Sequence, residues 1–220
     1  AGCATKMGKD GRTQTTVDVK YLVKSDVDRI ADTARAEVIG GLLLIADKLY
    51  KRNPKELKKG TAVSREAAVD RLRQRNSRSW PEFGGLRERQ AAALAFSSAY
   101  DGDRVAALAY GLLTMVDAAF EHKEEFYILD SLDETKLHNC ARNMEIAVWK
   151  LSTDRDPAGN LYLLSNELDP ANRNVSFERE FGRITGLLDF MAKIVADRNG
   201  RTLSRTAQAI ATMIFLPVSF

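Results

Sequence analysis

The sequence predicts an all-α protein, a single-core bundle of roughly seven to nine helices after a flexible N-terminal segment. Three observations predict this fold. The 220 residues include 28 Ala and 24 Leu, and both residue types favour helices. Apolar residues recur at alternating steps of three and four, which places them on one helix face. No pair of alternating strands joined by a hairpin turn is evident.

The first predicted helices follow from their start and stop signals. A long helix is expected after Ser25, with Asp28 closing a capping box. Gly40-Gly41 interrupts its apolar stripe, which predicts either a closely packed neighbouring helix or a kink. Asn53-Pro54 then predicts the cap and first residue of a short helix that ends at Gly60.

Six further helices are predicted from spacing and caps. The run 105–120 is interpreted as a core helix capped by Asp101, because it contains Asp117 and is too short to span a bilayer. The helix over 137–151 is expected to be capped by Asp133 or Ser131. The remaining four are expected over 65–75, 86–100, 177–195 (with Ser176 as its cap) and 203–215. The apolar run 161–164 fits a helical turn or a strand equally well.

Composition bounds the classes of protein that are possible. A 24.5 kDa chain that is 45% hydrophobic and 29% charged buries a sizeable core and is not wholly disordered. Two cysteines, Cys3 and Cys140, exclude a disulfide scaffold and a multi-cysteine metal site. Cys140 lies on an apolar stripe and is expected to be an inert buried thiol. The net charge of +3 points to no particular partner.

The residues Ala1-Gly2-Cys3 resemble the last three positions of the lipobox that ends a bacterial lipoprotein signal peptide. In that family the Cys becomes the first mature residue and carries the lipid, so the resemblance implies a lipidation site at Cys3. Ala4 after it resembles the signal for passage to the outer membrane. The stretch 5–16 is polar and typical of a flexible tether. We therefore expect a tether over 1–20 and a helical domain over 21–220.

The two histidines lie among acidic residues. His122 and Glu125 are three residues apart and Glu134 and His138 are four apart, so each pair shares a helix face. The four side chains are weak candidates for a divalent metal site. The alternative interpretation is a solvated acidic segment, since a di-iron bundle needs Glu-x-x-His pairs that the chain lacks. No metal and no cofactor is expected, and no phosphate loop, dinucleotide fingerprint or hydrolase serine motif occurs.

A basic stretch carries the candidate partner-binding residues. Residues 51–89 contain 12 Lys or Arg against 5 Asp or Glu. Arginines beside aromatic residues are suited to nucleic acid, an anionic lipid surface or an acidic protein. A solvated helix face is the alternative for the arginines, and packing on the core is the alternative for the aromatics. The candidates are Arg71, Arg73, Arg75, Arg78, Trp80 and Phe83.

The C-terminal residues 214–220 alternate apolar side chains and are expected to pack on the core or to dock into a neighbour. Together these features predict a lipid-anchored bacterial cell-envelope protein, in the outer membrane facing the periplasm. It would act as a non-enzymatic scaffold, adaptor or accessory subunit with a protein partner or by self-association. Two alternatives stay open: a metal-dependent or hydrolytic enzyme using His122 and His138, and a cytosolic nucleic-acid binder using Arg71 to Arg78. A location in the cell envelope argues against nucleic acid as the binding partner.

Overall fold

The computed structural model describes residues 4–7, 13–16, 26–78, 80–126, 132–167, 169, 173–198 and 215–219. Within these residues the fold is all-α, as predicted, with a number of helices in the expected range. In chain order they are α1 (Asp26–Arg52), α2 (Pro54–Leu57), α3 (Arg65–Arg73), α4 (Glu88–Leu94), α5 (Arg104–Ala119), α6 (Glu134–Thr153) and α7 (Ser176–Arg198).

A short hairpin lies within the segment predicted to be a tether. β1 (Ala4–Met7) and β2 (Thr13–Thr16) pair antiparallel, with Ala4 opposite Thr16. The prediction that the chain has no paired strands is therefore wrong here. Threonine favours strands, but two polar strands of four residues carry too little alternation to stand out in a sequence. The assignment of 1–20 to a tether and 21–220 to one domain stays a prediction.

Helix α5 is the centre of the bundle. Every one of its residues from Val105 to Ala119 is buried, so its interpretation as a core helix is confirmed. Helices α1, α3, α4 and α6 pack around it, and α7 packs on α1 and α6. None of the helices in the described part of the chain is long and apolar enough to cross a membrane.

The main differences from the predicted helix boundaries concern the start of α5, the length of α4 and the region 203–215. Asp103 caps α5 by accepting a hydrogen bond from the Ala106 N–H at 2.9 Å. The prediction of Asp101 as this cap is wrong, because α5 begins only at Arg104. Helix α4 is shorter than the predicted 86–100. The predicted helix over 203–215 lies outside the described residues except for its last residue, which is not helical.

Glycines allow two helix pairs to approach closely. A Cβ built on Gly41 of α1 would lie 2.9 Å from the Cδ1 atom of Ile184 in α7, so a closely packed neighbouring helix explains Gly41, whereas a Cβ on Gly40 would meet nothing within 4 Å. A Cβ on Gly111 of α5 would overlap the backbone nitrogen of Ala92 and lie 2.6 Å from the backbone oxygen of Glu88, both in α4. Gly111 therefore sets the spacing of α4 from α5, and Gly41 leaves room for the Ile184 side chain between α1 and α7.

Asp117 of α5 is fully buried and accepts four hydrogen bonds. Arg75 donates through Nε at 2.7 Å and through Nη2 at 2.5 Å. Arg35 of α1 donates from Nη2 at 2.9 Å, and Asn76 from Nδ2 at 3.0 Å. A carboxylate is stable in the interior only when its charge is paired and its lone pairs are occupied. The Asp117 cluster, as we call these four residues, thus ties α1, α5 and the segment after α3 together.

The close contact between α4 and α5 gives a prediction for stability. Gly111→Ala is expected to lower the free energy of unfolding by about 1–3 kcal/mol, because the added methyl group meets backbone atoms that cannot move independently. Gly186→Ala in α7 is the matched control. Its Cβ meets nothing within 4 Å, so it is expected to stabilise the helix by up to about 1 kcal/mol. Urea unfolding of both variants checks this, and equal unfolding free energies would contradict the described contact.

Candidate functional site

The residues predicted to bind a partner divide into two groups. Arg75, Trp80 and Phe83 are buried, with exposed fractions of 5%, 7% and 2%. Their side chains hold the segment after α3 against the core, and of the three only Trp80 also lines the cleft described below. The other three, Arg71, Arg73 and Arg78, remain accessible. Partner binding stays a prediction for all six residues.

The aromatic pair packs on the core, one of the two outcomes that the sequence left open. The rings of Trp80 and Phe83 are stacked with their centroids 5.5 Å apart, and Tyr110 of α5 lies 4.7 Å from Trp80. The indole N–H of Trp80 donates to the backbone oxygen of Arg75 at 3.2 Å. The Asp117 cluster therefore also fixes the position of Trp80, through Arg75.

Arg71 of α3 covers the outer face of this aromatic packing. Its guanidinium lies 3.9 Å from the centroid of the Trp80 ring. It also forms a two-pronged ion pair with Glu82 and donates to the Thr61 hydroxyl at 3.1 Å. Stacking and charge pairing together hold the guanidinium in one place. Arg71 is thus a rigid wall, whereas Arg73 is exposed and forms an ion pair at 3.8 Å with Asp70 of its own helix.

A cleft of about 240 Å³ opens beside Arg71 and is the candidate functional site. The end of α1, the loop between α2 and α3, helix α3, the loop around Trp80 and the start of α5 each contribute to its walls. The loop between α4 and α5 contributes Tyr100 and Asp101 as well. Because these elements come from separate parts of the chain, the cleft is formed only in the folded bundle. The residues that line it include Tyr50, Lys59, Gly60, Thr61, Arg71, Trp80, Glu82, Tyr100, Asp101 and Asp103.

Asp103 lies at the base of the cleft and is held by two hydrogen bonds. The Tyr50 hydroxyl donates to its Oδ2 at 2.7 Å, while its Oδ1 caps α5. A Cβ on Gly60 would lie 2.9 Å from Oδ2, so a larger residue there would close the space in front of the carboxylate. Burial raises the pKa of Asp103 to about 6, although the hydrogen bonds from Ala106 and Tyr50 oppose the rise.

The carboxylates that line the cleft outnumber the cations that line it. The two cations of the lining are paired, Arg71 with Glu82 and Lys59 with Glu56 at 2.7 Å. Within the described residues no lysine or arginine pairs with Asp101 or Asp103. These two carboxylates can therefore attract a cation that enters the cleft.

Tyr100 responds to this excess of negative charge. Burial, together with the charges of Asp103 and Glu82, raises the pKa of its hydroxyl to about 12, although Arg104 opposes the rise. A cleft with aromatic walls and net negative charge is suited chemically to a small organic cation.

The histidine candidates lie apart from this cleft. His138 of α6 has its Nδ1 atom 3.8 Å from a carboxylate oxygen of Asp189 in α7, and its pKa is lowered by burial and by Arg142. His122 lies just after α5 with a left-handed φ of 56°. In the described ranges no three side chains of His, Cys, Asp or Glu form a group that could hold a metal ion.

The cysteines were predicted to be a lipid site and a buried thiol. Cys140 is a buried free thiol, and burial raises its pKa above the ordinary range, which makes it unreactive. Cys3 lies outside the described residues, so its lipidation stays a prediction.

Sequence reasoning missed the two residues at the base of the cleft. Tyr50 falls at the end of an apolar stripe and resembles a core residue, which it also is, since it is 3% exposed. Asp103 lies in the segment Asp101-Gly102-Asp103, in which the sequence predicts Asp101 to be the cap. The signal that could have found Asp103 is its position immediately before the apolar run of α5.

Comparison of the chain with protein-family models, with curated proteins and with solved structures gives no match. What the cleft does must therefore be inferred from its own side chains.

The raised pKa of Asp103 gives a prediction for pH dependence. Its folded-state pKa of about 6 lies above the ordinary value, so folding favours the protonated carboxyl. This contribution to stability is fully present below pH about 4 and is lost as the pH rises through about 6. Asp103→Asn keeps the cap and carries no charge. Its unfolding free energy relative to the wild type should rise by up to about 3 kcal/mol across that interval. A difference that does not change with pH would contradict the prediction; urea unfolding at several pH values measures it.

Proposed function

We propose that this chain is a lipid-anchored protein of the bacterial cell envelope whose helical domain acts as a non-enzymatic scaffold or adaptor. The observation that carries the adaptor role is the preformed cleft at Arg71 and Asp103, which is large enough to receive one side chain of a partner. A rigid cavity of this kind favours binding because little order is lost when the ligand enters.

The charge of the cleft supports a partner that presents a cation. Arg71 and Glu82 neutralise each other at the wall, while Asp101 and Asp103 retain charge at the mouth and base. A lysine side chain has the matching shape, because its flexible apolar stem suits aromatic walls and its ammonium group suits a carboxylate. We therefore propose that the partner is a protein that inserts a lysine into the cleft.

The proposed location in the cell envelope rests on different observations. It rests on the resemblance of Ala1-Gly2-Cys3 to the end of a lipobox and on the polar stretch 5–16 after it. Acylation at both the sulfur and the amino group of Cys3 would supply more than one chain, and two chains anchor stably where one is marginal. The domain would then bind its partner close to the membrane, facing the periplasm.

Binding of a lysine analogue tests the cleft. Nα-acetyl-lysine methylamide is expected to bind with a Kd of about 1 mM, from about −0.3 kcal/mol for each of its roughly fourteen non-hydrogen atoms. Titration followed by ¹⁵N NMR should move the indole signal of Trp80, which lines the cleft, and leave that of Trp149 in α6 unchanged. Binding should weaken below pH about 6, where Asp103 takes up a proton.

Two controls separate recognition of the charge from general contact. The Nε-acetylated analogue has no charge and is expected to leave both tryptophan signals unmoved. In the second control, the charged analogue is titrated into Asp103→Asn, and both signals are again expected to stay unmoved. If Trp80 responds equally to the charged and the acetylated analogue, the cation hypothesis fails. If it responds to neither, the cleft does not receive a lysine.

The anchor is tested by intact mass. Full-length protein expressed with its natural leader and recovered from membranes is expected to begin at Cys3 and to carry added acyl mass. An unmodified protein that retains Ala1 and Gly2 would contradict the proposed location in the cell envelope. It would not affect the interpretation of the cleft experiment.

A further inference from the structure

A second cavity, a groove of about 800 Å³, opens between α2 and the loop that follows α6. The end of α1, helix α2, the first residue of α5 and the loop residues 156–164 contribute to its walls. It adjoins the cleft at Lys59, which lines both cavities. We call this cavity the basic groove, because four cationic side chains line it: Arg52, Lys55, Lys59 and Arg104.

The loop that forms one wall of the basic groove is held in place at both ends. The side-chain amide of Asn53, just before α2, accepts from the Leu164 N–H at 2.8 Å and donates to the Leu164 oxygen at 2.8 Å. At the other end, the Asp156 carboxylate accepts from the N–H groups of Ala158 and Asn160, each at 2.9 Å. The groove is therefore preformed, so little order is lost when a ligand enters.

Arg104, the first residue of α5, supplies a fixed positive charge to the groove. It donates to the backbone oxygens of Ala95 and Ser97 at 3.0 and 2.9 Å, and to that of Tyr100. Its guanidinium also lies 4.7 Å from the centroid of the Tyr162 ring. In the part of the chain that the structure describes, no carboxylate pairs with this guanidinium. Because backbone oxygens carry only partial charges, the positive charge of Arg104 is not neutralised.

Two carboxylates line the basic groove, Glu56 and Asp156. Glu56 accepts from the Lys59 ammonium group at 2.7 Å through one oxygen and from the Arg104 backbone N–H at 2.8 Å through the other. Glu56 and Lys59 therefore neutralise each other. The charge of Asp156 is then the negative charge that remains among the lining residues.

Three cations oppose that single negative charge. Besides Arg104, they include Lys55, which is exposed and pairs with no carboxylate within the described ranges. Arg52 forms an ion pair at 3.4 Å with Glu167, whose side chain is 41% exposed, so water screens the pair. The groove thus has a net positive charge, opposite to that of the neighbouring cleft.

We infer that the basic groove binds an acidic peptide segment of a partner protein, with an apolar side chain between two carboxylates. Charge complementarity selects the carboxylates. Pro157, Leu161 and Leu164 add apolar surface, and Leu164 is 48% exposed, so an apolar side chain gains contact that a bare anion does not. The volume is that of a site for a large organic ligand. The inference depends neither on the cleft nor on the lipid anchor.

Binding of a short acidic peptide to the full 220-residue chain tests the inference. Acetyl-Glu-Leu-Glu-amide is titrated at about 20 mM salt, where exposed charges are weakly screened. In ¹⁵N NMR spectra the side-chain amide of Asn53 and the backbone amide of Tyr162, which line the groove, are expected to move saturably. The Trp80 indole signal, in the cleft, should stay unchanged. The neutral acetyl-Gln-Leu-Gln-amide is expected to bind at least about tenfold more weakly.

Two matched double variants locate the binding. Arg52→Gln with Lys55→Gln removes two positive charges from the lining of the groove and is expected to weaken binding of the acidic peptide about tenfold. Lys51→Gln with Lys58→Gln removes two exposed charges nearby that do not line the groove. This control is expected to weaken binding less than about twofold. Circular dichroism confirms that both variants are folded.

The inference is overturned if the two double variants weaken binding equally, because binding then follows the overall charge of the surface. It is also overturned if the neutral peptide binds as tightly as the acidic one. If vesicles of phosphatidylglycerol bind and the acidic peptide does not, the occupant is a membrane surface and the inference fails. Should Arg52→Gln prevent folding, Lys55→Gln compared with Lys58→Gln decides the question, since both side chains are exposed.

Discussion

The charge of Asp117 is the constraint on which the rest of the structure depends. The residue lies inside the central helix α5 with no exposed surface, and Arg35, Arg75 and Asn76 satisfy it. Removing one partner from such a pair leaves a buried charge without its counterion, which lowers the free energy of unfolding by about 3–5 kcal/mol. The backbone after α3 must therefore pass close to α5, and α1 must run alongside both.

This one requirement also shapes the candidate site. Arg75 binds Asp117 with its side chain and the Trp80 indole with its backbone oxygen, so Trp80 is placed by the cluster. Trp80 in turn supports the guanidinium of Arg71, which forms a wall of the cleft. The basic stretch thus contains arginines with different roles: Arg75 stabilises the interior, and Arg71 shapes a surface cavity.

The sequence was sufficient for what depends on periodicity and local caps. The all-α fold and the core position of α5 follow from spacing. At the start of α6 and at Gly41 the sequence left two alternatives open, and the structure selects the cap at Asp133 and a closely packed neighbouring helix. Pairings between distant residues did not follow. Arg75 joins Asp117 across 42 positions and Tyr50 joins Asp103 across 53, and no local pattern marks either pair. The cap at Asp101 and the absence of strands failed for a related reason, since each was decided by a signal of only a few residues.

The central claim is that Asp117 holds this bundle and its cleft together, and equilibrium unfolding of Asp117→Asn tests it most directly. The asparagine has the same shape but carries no charge, so Arg35 and Arg75 lose their counterion while packing is preserved. The predicted loss in the free energy of unfolding is about 3–5 kcal/mol. A loss below about 1 kcal/mol, the value of an exposed ion pair, would contradict the claim.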